Sequence, residues 1–235
     1  MAEQTNILSY PSTVYVGRNV PKKAFYDNMP VSNRIRQHFV DDIDQIVWLY
    51  KLTAGTLGVE DGEKVHEITV FHVLVKSQDC PDDVFTFIDK SLPRHTVFIL
   101  ENSGRYRLLV NYKQWSDEAK GLFKITESYC SRWMPKAQVV MQLKGMTMDL
   151  IYSGIVSYIS GIQPADNKDL QRVVDLKKAI ATKKNVVAML EGRIRAERQF
   201  SEQMAINANL KIARKDLVAL EEELKELLEY GISKN

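Results

Sequence analysis

Gln45-Ile46-Val47-Trp48-Leu49-Tyr50-Lys51-Leu52 is nearly continuous in β-branched and aromatic residues. Such a run reads as a buried central strand. C-terminal to it, Thr53 to Lys64 holds Gly55, Gly58 and Gly62 and reads as a loop. Val65 to Lys76 then alternates as a second strand. Ile68, Val70, His72 and Leu74 fall on one face and Thr69, Phe71, Val73 and Val75 on the other. N-terminal to the opening run, Ser32 can cap a helix reaching about Asp42, with Ile35, Phe39 and Val40 as its apolar stripe. Thr13-Val14-Tyr15-Val16 is a short strand, punctuated by Gly17 and Pro21.

Further along, Pro81 at a first helical position opens a helix to about Leu92, with Asp82 and Asp83 at its positive end and Pro93 after it. His95 to Glu101 and Tyr106 to Tyr112 are strands joined by the turn Asn102-Ser103-Gly104. Phe123 to Glu127 and Gln138 to Leu143 are further strand candidates, and Thr147 can cap a helix from Met148 to about Ser160. Paired strands separated by helices predict an α/β (α+β) domain with a mixed sheet and packed helices, not a doubly wound parallel fold.

Gly161-Ile162-Gln163-Pro164-Ala165-Asp166-Asn167 marks the boundary between a domain over 1–163 and a helical coiled-coil extension over 164–235. Val173, Leu176, Ile180, Val187, Leu190 and Ile194 follow a 3-4 spacing. Leu210, Ala213, Leu217, Leu220, Leu224 and Leu227 form a second register that does not continue the first. The break near Arg198 to Asn209 is either a stutter in one helix of roughly 90 Å or the bend of a hairpin. Lys168 to Arg198 carries nine Lys or Arg against four Asp or Glu. Asp216 to Glu229 carries six acids against Lys225 alone. Opposite charge blocks favour antiparallel pairing, within one chain or between two.

The net charge of +2 is too small to predict nucleic-acid binding from bulk charge. Two distant cysteines, Cys80 and Cys130, argue against a disulfide framework or zinc site, and fit a reducing, cytoplasmic setting. Met1 to Asn6 lacks the features of a signal peptide, and Met148 to Ile162 is too short to span a bilayer. Phosphate-loop, dinucleotide and hydrolase-elbow motifs are missing, and no cofactor or metal is expected. No two of His38, His66, His72 and His95 stand three or four residues apart. His66 and His72 share a strand face but lie roughly 20 Å apart, and His72 reads as a core histidine.

Two chemistries merit weighing. A metal-dependent nuclease of the PD-(D/E)xK kind could draw on Asp42 or Asp44, Glu67 or Glu101, and Lys76 or Lys113. No strand carries the paired acid-x-Lys, however, so strand-end charges facing solvent are the better reading. A nucleic-acid surface could use Lys22, Lys23, Arg34, Arg36, Arg105, Arg107 and Lys113 among Tyr26, Tyr106, Tyr112 and Trp115. Trp48 and Trp133 read as core residues.

Several stretches resemble one bacterial family, the domain of unknown function numbered 4391. They are Asn19 to Tyr26, Phe39 to Leu52, Ile88-Asp89-Lys90-Ser91-Leu92-Pro93, Val97 to Leu100, Val110-Asn111-Tyr112-Lys113, Ile194 to Phe200 and Asn207 to Leu210, in order along the chain. The resemblance implies genes kept beside helicases and DNA methyltransferases of restriction-like or phage-defence modules, and supplies no catalytic residues. It implies a non-catalytic accessory subunit docking a helicase or methyltransferase partner. The C-terminal apolar seam adds the expectation of a homo-oligomer.

Overall fold

The computed structural model describes residues 7–27, 30–117, 122–162 and 170–229. These fall into two units divided between Ile162 and Gln163. Residues 163–167 of the predicted boundary, and Met1 to Asn6, lie outside the described residues.

The first unit runs β1 (Tyr15–Asn19), α1 (Lys23–Tyr26), α2 (Asn33–Asp41), β2 (Ile43–Thr53), α3 (Ala54–Leu57), β3 (Glu67–Val75), α4 (Asp83–Lys90), β4 (His95–Asn102), β5 (Arg105–Asp117), β6 (Leu122–Cys130), β7 (Met134–Pro135) and α5 (Met148–Ser160). Strands β1 to β6 lie side by side in chain order, and β7 pairs with β5. Among the described strands, only β3 and β4 pair in parallel. Parallel neighbours need a crossover, and α4 supplies it. The sheet is mixed, with helices packed on it.

Local chemistry fixes the element ends. The Ser32 and Thr147 hydroxyls accept the amides of Ile35 and Leu150, each at 3.3 Å. Ser103 (φ 50°) and Gly104 (φ 74°) are both left-handed, as a tight turn between twisted antiparallel strands requires. Phe39 of α2 and Val84, Phe85 and Ile88 of α4 form the core on one sheet face with Phe71, Val73, Phe98 and Leu100. Helix α5 packs on β5 and β6, where the Tyr152 ring lies 4.4 Å from His95 of β4 and stacks with Tyr112.

Several local expectations change. Thr13 and Val14, expected in a strand, belong to a short 3-10 helix (Ser12–Val14), and β1 starts at Tyr15. Gln138 to Leu143 is not a strand. Its backbone groups are met by side chains instead: Tyr10 donates to the Met141 carbonyl, and the Tyr158 hydroxyl donates to the Gln138 carbonyl and accepts the Val140 amide. The loop after Thr53 contains α3, held by a reciprocal cap between Thr53 and Thr56 and stopped by left-handed Gly58. The helix expected from Pro81 starts at Asp83.

The second unit is a hairpin of α6 (Leu170–Ala196) and α7 (Phe200–Glu229). Ion pairs Arg172–Glu223, Lys183–Asp216 and Arg214–Glu191 show the antiparallel direction, since one partner's number rises as the other's falls. This decides between the bend and the single long helix. The bend needs neither glycine nor proline. The Glu197 carboxylate accepts the amides of Arg198 (2.8 Å) and Gln199 (2.9 Å), and the Gln203 side-chain amide donates to the Glu197 carbonyl at 2.7 Å.

Candidate functional site

The basic residues singled out in the sequence do not form one surface. Lys113 is 3% exposed. Its Nζ lies 2.6 Å from Asp89 Oδ1 and donates to the carbonyls of Asp89 (2.7 Å), Leu92 (3.1 Å) and Arg94 (2.7 Å). It therefore caps the carboxyl end of α4, where backbone carbonyls would lack partners, and cannot meet nucleic acid. Burial pulls its amine below the ordinary value, opposed by Asp89, and burial raises the Asp89 carboxyl. Arg107 forms a two-pronged pair with Asp82 at 2.8 Å per contact. Arg105 donates to the Trp133 carbonyl, and Lys22 to the Ile43 carbonyl at 2.9 Å. Lys23 is exposed on α1.

Two resembling stretches, Ile88 to Pro93 and Val110 to Lys113, thus meet through Asp89 and Lys113. Asn111 adds two bonds, its Oδ1 accepting from Thr86 of α4 at 3.3 Å and from Ser128 of β6 at 2.6 Å. These residues hold the helix to the sheet.

The carboxylates weighed for a nuclease are also apart. Glu67 begins β3, whereas Glu101 pairs with Leu74 near its end, roughly 23 Å away at about 3.3 Å per residue. Among the described residues no three His, Cys, Asp or Glu are grouped to hold a metal ion. His72 is buried and bonded to Glu101 at 2.7 Å. Burial lowers its pKa, and Glu101 opposes that shift.

Of the predicted seam, Val173, Leu176, Ile180 and Leu190 on α6 are buried, as is Leu210 on α7. Leu190, Ile206, Leu210 and Ala213 cluster with half-buried Val186, Val187 and Ile194. Leu217, Leu220, Leu224 and Leu227 are half-buried. Outside this seam the hairpin exposes Met189, Phe200, Met204, Ile212 and Val218, with Phe200 74% exposed.

The sequence reading missed a cleft in the first unit. A cavity of about 370 Å³ opens where the parallel pair β3 and β4 begins. Lys51, Lys64, Glu67, Arg94, Trp115 and Phe123 line it, with His95 also in its wall. Glu67 binds Lys51 (3.1 Å) and Arg94 (2.7 Å). Burial raises its carboxyl, but those two cations outweigh burial and hold it below the ordinary range. The Asp149 carboxylate accepts the amides of Glu63, Lys64 and Val65, and Trp115 Nε1 donates to the Lys64 carbonyl. The Lys64 backbone is thereby fixed from two sides. Trp115 stacks on Phe123, centroids 3.8 Å apart. The His95 imidazole is pushed down to about 3, first by burial and then by Lys113, and stays neutral.

One signal pointed here. Lys64 precedes one strand and Arg94 the next, and the intervening helix makes those strands parallel, setting Ile68 beside His95. A larger cavity, about 1060 Å³, lies between residues 7–11 and 136–144 and offers only Lys136 and Lys144 as charged groups. Among the described residues no helix is long and apolar enough to cross a membrane.

A family model described as "Domain of unknown function (DUF4391)" matches residues 8–217. No curated protein and no solved structure matches the chain.

Proposed function

Because the chain belongs to the DUF4391 family, we propose that it is a non-catalytic assembly subunit of a DNA-processing complex whose helical hairpin pairs with the hairpin of a second copy. One observation carries this reading. The hairpin satisfies its own seam through Leu190, Ile206, Leu210 and Ala213, yet leaves Phe200, Met204, Ile212 and Val218 exposed on α7. Isolated exposed apolar residues need no explanation, but several along one helix favour association.

A second copy is the occupant that fits: the same exposed α7 residues on two hairpins make a self-complementary two-fold contact, while the basic and acidic blocks already pair within each hairpin through Arg172–Glu223, Lys183–Asp216 and Lys184–Glu221. The α/β unit would then dock a helicase or DNA methyltransferase, the companion that family resemblance suggests.

Light scattering over a micromolar concentration series tests the self-pairing. Wild-type chain is expected to be a dimer, and Phe200→Ser/Met204→Ser/Ile212→Ser a monomer with unchanged helix content. A strict monomer at tens of micromolar overturns the reading.

A further inference from the structure

We propose that the cleft between Lys51, Lys64, Arg94 and Trp115 binds a nucleotide: a planar base against the aromatic wall with its phosphate on the lysines. This inference does not depend on hairpin pairing.

The cleft joins the two features such a ligand needs. Lys51, Lys64 and Arg94 converge on one cavity, and Glu67 neutralises only part of their charge. The Lys51 side chain remains 43% exposed and that of Arg94 35%, so both can still meet an anion. The Lys64 backbone is held by Asp149 and Trp115, so its side chain springs from a fixed point. Ordering that side chain on a phosphate then costs less than ordering one on a loose loop.

Trp115 stacked on Phe123 supplies a flat apolar wall, half-buried and open to the cavity. Bases stack on such surfaces whatever their identity. His95 adds no charge, because burial keeps it neutral. Glu67, kept ionised, offers an acceptor for a ribose hydroxyl. A cavity of about 370 Å³ falls within the size of small-ligand sites. A bare phosphate would leave the aromatic wall unused, and an apolar ligand would strand the cations.

The same chemistry has two sources, a free mononucleotide or one nucleotide of a single strand. Calorimetry on the full chain would compare four probes: adenosine 5′-monophosphate, adenosine, inorganic phosphate and a short single-stranded oligodeoxynucleotide. The monophosphate is expected to bind more tightly than adenosine or phosphate. Trp115→Leu and the double variant Lys51→Gln/Lys64→Gln should each weaken it by about tenfold, with thermal melting of the lysine variant close to wild type.

An oligonucleotide no tighter than the monophosphate assigns the site to free nucleotides. A much tighter oligonucleotide, weakened by the same variants and by salt, assigns it to single strands. Phosphate binding as well as the monophosphate, or no binding of either nucleotide probe at millimolar concentration, overturns the proposal. So does nucleotide binding that both variants leave unchanged.

Discussion

The two units use opposite charges in opposite ways. In the α/β unit, Asp89 and Lys113 form a fully buried pair joining α4 to β5. In the hairpin, Arg172–Glu223, Lys183–Asp216, Lys184–Glu221 and Arg214–Glu191 lie along a wetted surface. Solvent decides what each arrangement can do. Removing one partner of a buried pair strands a charge away from water, whereas an exposed pair exchanges one solvated state for another. The buried pair therefore fixes a geometry. The surface pairs bias direction, and the hairpin's stability rests on Leu190, Ile206 and Leu210.

The sharpest way to break this contrast is to remove one buried charge. Lys113→Met leaves Asp89 ionisable and surrounded by protein, and is expected to cost about 3–5 kcal/mol in urea unfolding. Adding Asp89→Leu should recover much of that loss, because two apolar groups replace two charges. Equal stability of the single and double variants would show that the pair does not act as a unit.

The next effect belongs to the other unit. Leu210 is 4% exposed. Leu210→Ala is expected to cost about 2–4 kcal/mol of hairpin stability through lost burial and a residual cavity. Hydrogen exchange should report it as faster amide exchange in α6 and α7, with β3 and β4 unchanged. Loss of protection in the sheet as well would mean that the two units do not open separately.

The same contrast explains how much was legible in the sequence. Strands over 45–52 and 65–76, the caps Ser32 and Thr147, and the turn at Asn102-Ser103-Gly104 are local, so a few neighbouring residues specify each. The hairpin was half legible. Two registers and two charge blocks allowed it, but a bend closed by the Glu197 side chain carries no glycine or proline to announce it. Lys113 was misread as a surface cation because its partner is 24 residues away in sequence. The cleft was missed because its residues come from five strands and two loops, and only the assembled sheet brings them together. Gln138 to Leu143 looked like a strand because sequence does not show that tyrosines meet its backbone groups.

Acid acts on the α/β unit through His95. Its folded pKa lies at about 3, below the ordinary 6.5, because the ring is buried and near Lys113. The unfolded chain therefore takes up this proton first. The stabilisation is complete above about pH 6.5 and is lost progressively as pH falls from there toward about 3, by up to about 1.4 kcal/mol per pH unit. At pH 5 the loss is about 2 kcal/mol. His72, also lowered, acts in the same direction. In His95→Gln, the dependence of unfolding free energy on pH below 6.5 should flatten relative to wild type. An unchanged slope would mean that His95 is protonated in the folded chain.

The smallest effect is the most direct test of the surface half of the comparison. Lys183 and Asp216 lie 3.0 Å apart, with side chains 32% and 47% exposed. Lys183→Ala, Asp216→Ala and the double variant form a cycle whose coupling is expected to be below about 1 kcal/mol and to fall further in added salt. The value should stand well under the coupling between Asp89 and Lys113 measured the same way. Similar couplings in the two cycles would mean that the hairpin pair is shielded from water. Its charges would then help to hold the hairpin's geometry, as Lys113 and Asp89 hold α4 to the sheet.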